Sequence, residues 1–206
     1  VSVTTFIFDD GHMNLLSASA LRRIRAALPD SASLFVFRSG RERLFAAGAD
    51  MAEMRRFSGW EAYEFSRLGQ ETFEAIERLP CVTVVIIDGD CFGGALDLAL
   101  AFDLRFATPR ARFAHPGARL GIVTGFGGTS RWRRVLSRPA ANQLFLANRV
   151  LDAEEALRLG LVDRVAESHD DALARLESAD AAMVKMLTTY ELSPEALLRV
   201  ARQSLR

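Results

Sequence analysis

The sequence predicts an α/β fold, and three observations support that expectation. The first is Pro80 to Asp103, PCVTVVIIDGDCFGGALDLALAFD, where a β-branched run, Val82 to Ile87, ends at Asp88-Gly89 and passes Gly93-Gly94 into an Ala/Leu-rich stretch. An apolar run of strand length, a glycine-marked turn and a second apolar segment read as strand, tight turn and buried helix. The second is the alternation of such strands with amphipathic helices, which indicates a core of packed sheet and helix over residues 1–130. The third is the sequence after about residue 130, which reads as an α-helical C-terminal region, 131–206.

The elements follow in order. Val3 to Phe8 is a strand closed by Asp9-Asp10-Gly11, and Leu21, Ile24 and Leu28 mark one face of a short helix after Ser17. Leu34 to Arg38 is a second buried strand, followed by a polar turn, Ser39 to Leu44. Phe45 to Met51, FAAGADM, is small-residue backbone that a ligand can approach closely. Ser58 and Glu61 have the spacing of a capping box for a longer helix, with Ala62, Phe65, Gly69, Phe73, Ile76 and Leu79 on its inner face. Leu104 to Thr108 is a short strand, and Ala111 to Gly128, rich in Gly and Pro, is an extended loop that lines a site. Beyond it, helices are expected over 129–136, 139–147, from the Asp152 and Glu155 cap to Gly160, 170–186 and 194–205.

Composition sets limits on partners. The 206 residues, half of them hydrophobic, can bury one sizeable core. With 26 basic against 26 acidic residues and no long block of one sign, neither nucleic acid nor an anionic membrane is expected as a partner. Cys81 and Cys91, placed at the two ends of an extended strand, are too far apart to bridge, which suits a reducing cytoplasm. No signal peptide opens the chain and no apolar run has the length of a membrane span, so a soluble cytoplasmic protein is expected. The three scattered histidines give no metal-ligand spacing, and no metal is expected.

Chemistry concentrates near Gly94 and Asp97. Backbone N–H groups in the first turn of a helix lack internal acceptors, so the turn at Gly94 can hold an anion or a developing oxyanion. Asp97 lies three residues on, on about the same face, in a segment otherwise apolar. Such a carboxylate either pairs with a cap or an arginine, or moves protons beside a carbonyl. His115 sits in the extended loop, either bonded to loop backbone or donating to substrate. Arg41 and Arg43 lie just before FAAGADM, in a solvated turn or against phosphate.

FAAGADM, DGDCFGGALDLALAFDLRFA, ARLGIVTGFGGTSR and RVLDAEEALRLGLVDRV, in that order and spacing over residues 3–165, resemble the enoyl-CoA hydratase/isomerase (crotonase) family. SPEALLRVARQSL is similar to a later helix of that family. The resemblance implies a crotonase-like spiral of ββα units with a shortened α-helical C-terminal region, and an acyl-CoA thioester as ligand. Coenzyme A would enter as part of the substrate, with no separate cofactor. It further implies an oxyanion hole from the N–H groups of Ala49 and Gly94, substrate contacts along Ala47, Asp50, Gly93, Gly117 and Arg43, and a homo-oligomer, trimer or hexamer.

Departures from the family pattern bear on the reaction. Hydratases of this family carry two carboxylates, and here the first position holds Asp97 whereas the second, after His115-Pro116, is Gly117. The position of a further acid in dienoyl-CoA isomerases falls on Gly125. One acid/base group over an oxyanion hole suits double-bond isomerisation: a proton is removed, the dienolate held, and the proton returned two carbons away. Hydration with His115 or a water replacing the missing carboxylate, decarboxylation, and an inactive acyl-CoA-binding subunit are the alternatives.

Overall fold

The computed structural model describes residues 3–32 and 34–174. Four strand segments enter the same parallel sheet from successive turns of the chain: β1 (Val3–Phe8), β3 (Leu34–Ser39), β6 (Val82–Ile87) and β8 (Leu104–Ala107) lie side by side in that order, with β11 (Arg164–Val165) at the edge. After each comes a shorter strand in a different sheet. β2 (Leu15–Leu16) pairs with β5 (Gly48–Ala49), while β4 (Leu44–Ala46), β7 (Asp90–Phe92), β9 (Arg112–Ala114) and β10 (Leu151–Asp152) form a second layer in the order β10-β9-β7-β4. A helix closes the first three turns: α1 (Ala18–Ala26), α3 (Gly59–Glu77) after the single turn α2 (Met51–Met54), and α4 (Gly94–Ala99). This is the expected spiral of ββα units.

Burial explains the strand composition. β6 is buried at all six positions, which is why it reads as an unbroken apolar run rather than an alternating one. Val82, Val84 and Ile86 face a small cluster with Leu34, Val36, Phe106, Ala166 and Ala172, while Val85 and Ile87 face the main core with Phe35, Phe37 and Phe102. Asn14, wholly buried and left-handed (φ 52°), ties three segments together: its Nδ2 donates to Phe8 O, Ser39 Oγ and Phe45 O. Asn tolerates this conformation better than most residues.

Helix ends match the local rules. Ser17 caps α1, Ser58 and Glu61 form a reciprocal capping box on α3, and Asp152 and Glu155 form another on α7 (Ala153–Arg158). Two details of α3 differ from the expected inner face. Ala62 is exposed, one turn before the helix meets the core, and Thr72 is buried instead, its hydroxyl donating to Leu68 O within the helix. The helix beginning at Gly94 is also shorter than its Ala/Leu content suggests, since the chain turns at Leu100 to enter β8.

The region after residue 130 is not wholly helical. α5 (Gly128–Val135), α6 (Arg138–Phe145), α7 and α8 (His169–Leu173) alternate with β10 and β11, which join the two sheets of the core. The Leu161 to Val165 stretch is attached by Arg105, whose buried guanidinium donates to Phe102 O, Leu161 O and Asp163 Oδ2. Of the helix expected over 170–186 only α8 is described, and the one expected over 194–205 lies outside the described residues. The extended loop contains β9 and a 3-10 turn, Pro116–Leu120. Cys81 and Cys91 are both buried and form no disulfide with one another; Cys91 belongs to β7, not to the strand after Cys81. Burial pushes the Cys91 thiol well up, reinforced by the charges of Asp97 and Asp90. No helix among the described residues is long and apolar enough to cross a membrane.

Candidate active site

The glycine-rich turn after β4 and the one after β7 meet. Gly48 takes a positive φ of 102°, and a Cβ there would lie 2.6 Å from Phe92 O and 3.2 Å from Gly94 N, so the two turns pack backbone to backbone. Along β5 the Asp50 N–H donates to Leu16 O. Successive N–H groups of a strand point to opposite sides, so that of Ala49 points away from β2. Its nitrogen lies 3.3 Å from where a Cβ on Gly94 would sit. Gly94 opens α4, whose first-turn N–H groups lack intrahelical acceptors. The turns therefore bring the Ala49 and Gly94 amides, 45 positions apart, to one spot.

That spot lies in the wall of a cavity of about 160 Å³. Ala47, Ala49, Gly93, Gly94, His115 and Gly117 line it, as do Met51, Met54, Phe65 and Ser66 and the loop from Ile122 to Phe126. The loop is held by contacts far apart in sequence. Gln70 donates to Gly125 O, and buried Arg131 donates to Phe126 O while pairing with Glu77. Phe126 is packed between Phe65 and Phe73, against the Cα of Gly69 and Gly94.

Asp97 is wholly buried and is not among the residues lining the cavity; it stands behind them. Thr124 Oγ1 donates to its Oδ2. Its Oδ1 lies 3.5 Å from His115 Nε2, and neither of these atoms has a hydrogen-bond partner among the described residues. Gly128 closes the remaining side, since a Cβ there would be 1.7 Å from Asp97 Oδ1. A buried carboxylate with one oxygen unpartnered is costly, by several kcal/mol in general, and such groups call for an explanation beyond packing.

Two sequence-predicted contacts are placed elsewhere. Asp50 caps α2, its Oδ1 accepting from the N–H groups of Ala52 and Glu53, and it does not line the cavity. Arg43 lines a separate cleft with Asp90, Arg110 and Arg112, and Arg41 approaches Asp9 at 3.7 Å. Sequence pattern placed both arginines near the glycine turn, but β4 separates them from it. Gly117 lines the cavity with its Cα against Ile122 O, so close that a Cβ would lie 2.7 Å away. Gly125 faces Ser66, where a Cβ would lie 2.3 Å from Oγ. Thr124, Ser66 and Arg131 were not singled out from the sequence, because each acquires its site contact only through folding.

A family model for enoyl-CoA hydratase/isomerase matches residues 3–200. The chain belongs to that family. A crotonyl-CoA hydratase of Syntrophomonas wolfei is 36% identical over 163 residues, 77% of this chain and 63% of that protein. A short-chain-enoyl-CoA hydratase of Clostridium acetobutylicum is 33% identical over 192 residues, 91% of this chain and 74% of its own length. The chain thus spans less than two thirds of the first of these relatives. Among solved structures, Pseudomonas aeruginosa DspI superposes with a TM-score of 0.83 at 27% identity, covering 99% of this chain and 84% of that one. An enoyl-CoA hydratase from Bacillus anthracis superposes at 0.84 with 23% identity, a likeness of fold. Among the described residues no group of three or more His, Cys, Asp or Glu side chains is arranged to hold a metal ion.

Proposed function

We propose that this member of the family acts on a short acyl-CoA thioester through an enolate, and that the reaction is double-bond isomerisation. The observation that supports this best is the convergence of the Ala49 and Gly94 amides in the cavity wall. Taking a proton from carbon conjugated to a thioester carbonyl puts negative charge on its oxygen, and two fixed N–H donors stabilise that charge without reorganising. Loss of one such donor typically costs about 3–4 kcal/mol.

The proton chemistry falls to the pair formed by Asp97 and His115. A second carboxylate at position 117 would collide with the Ile122 carbonyl in this loop arrangement, so the site has one proton-handling station rather than two. One station that takes a proton and returns it nearby is what isomerisation requires. A cavity of about 160 Å³ is close to the volume that holds one benzene, about 150 Å³, which favours a short acyl group. Hydration is the second reading, favoured by the names of the two relatives above and by His115 as a second group beside Asp97.

Mass spectrometry of trans-3-enoyl-CoA and trans-2-enoyl-CoA after incubation in heavy water separates the readings. Isomerisation gives deuterium incorporation with a shifted double bond and no gain of water, whereas a water adduct makes hydration the reaction. Binding without exchange or turnover of either thioester would sink both.

A further inference from the structure

His115 lines the cavity and Asp97 does not. The imidazole stands between the carboxylate and the cavity: its Nε2 faces Asp97 Oδ1 at 3.5 Å, while its Cε1–Nδ1 edge faces cavity-lining Gly117, where a Cβ would lie 3.2 and 3.3 Å from those two atoms. We propose that His115 is the catalytic residue that exchanges the proton with substrate, and that Asp97 is a positioning residue acting through it. This rests on the enolate reading above and divides the labour within the pair.

The geometry around Asp97 supports the division. Thr124 occupies Oδ2, and Gly128 packs against the carboxylate so closely that no side chain fits between them. Oδ1, with Gly128 against it, also faces His115 Nε2. In this pairing an Nε2–H directed at Asp97 Oδ1 leaves Nδ1, on the edge toward Gly117, as the nitrogen that takes the proton. Phe145 packs on the imidazole with ring centroids 4.7 Å apart, which limits its rotation. Nδ1 takes a proton from the substrate carbon, the C–H electron pair passes to the thioester oxygen between the two amides, and the imidazolium, whose N–H exchanges with solvent, delivers a proton to the carbon two positions away as the electron pair returns from oxygen. One proton leaves and one returns, with no net change at Asp97. A histidine thus serves where the family pattern would place a second carboxylate, at the site that Gly117 leaves without a side chain.

The test compares His115→Ala, Asp97→Asn and wild type by deuterium exchange, with and without added imidazole, and reads the His115 tautomer by long-range nitrogen-15 NMR. Expected are a loss of about 10²-fold or more in His115→Ala that imidazole partly restores, and a loss in Asp97→Asn that imidazole leaves unchanged. The tautomer should be Nε2–H in wild type and switch to Nδ1–H in Asp97→Asn, as replacing the orienting carboxylate of such a pair favours the wrong tautomer. Near-normal exchange in His115→Ala, or a loss that imidazole does not restore, would overturn the assignment, as would a tautomer indifferent to Asp97→Asn. The tautomer is read without turnover, so a wild-type protein inert toward every thioester would defeat the enolate reading while the NMR still judged the pairing.

Discussion

Gly128 makes the most economical single-residue test of how the carboxylate is held. Alanine is welcome in the first turn of a helix, but its Cβ would sit 1.7 Å from Asp97 Oδ1, so the carboxylate must move. Overpacking of this kind costs about 1–3 kcal/mol of stability, whereas a misplacement of about 1 Å passed on to the reacting group through the residue that positions it costs about 10²-fold in rate. Gly128→Ala is therefore expected to lose far more activity than stability, read as isotope exchange and thermal melting on one preparation. Equal activity in the variant would mean that the position of Asp97 does not matter. None of this was visible in the FGGTSR sequence, because the contact joins residues 31 positions apart. Asp97 and His115 stand out in the sequence by being polar in an apolar run and in a glycine-rich loop, but their order from the cavity outward is set by tertiary packing alone.

At the scale of the element, α3 shows how a general preference is reversed by one neighbour. Gly in a helix interior is about 1 kcal/mol worse than Ala, so Gly69→Ala should stabilise an isolated helix. Here the added Cβ would lie 2.1 Å from Phe126 Cδ1, on a ring already packed between Phe65 and Phe73. The expected result is net destabilisation of about 1–2 kcal/mol in urea unfolding, reduced when Phe126→Leu is combined with it. A Gly69→Ala variant as stable as wild type would show that Phe126 is not wedged against the helix. The caps of α1, α3 and α7 were legible because each is made by side chains within three residues of the amides that they satisfy. β10 and β11 were not, because two-residue strands have no period of their own and exist only by pairing with β9 and β8.

For the whole molecule, the pH dependence of stability follows from the junction of α8 with the main sheet. Burial holds His169 below its ordinary value, helped by Arg38 and opposed by Asp88. Asp88 is raised by burial, but hydrogen bonds from Arg110 and Thr108 outweigh this and leave it lowered. Both groups bind protons more readily in the unfolded chain, so both contribute stability at neutral pH that is lost on acidification. The His169 part is complete above about pH 6.5 and disappears as pH falls through its lower folded value. The Asp88 part is complete above about pH 4 and disappears below that. Melting temperature should therefore fall from pH 7 to 5, and His169→Asn should flatten that slope; an unchanged slope would locate the titration elsewhere.

The sequence by itself determined the α/β architecture, the strands β1, β3, β6 and β8 of the main sheet, the helix starts and the family, because strand and helix periods, caps and glycine turns are local signals written within a few residues. Tertiary structure decided what those signals could not express. It brought the Ala49 and Gly94 amides together, set Asp97 behind His115, gave Asp50 to a helix cap and sent Arg43 to another cleft. The physical reason is range: a cap or a turn is satisfied by its own neighbours, whereas a buried carboxylate takes its role from whatever distant backbone and side chains close around it.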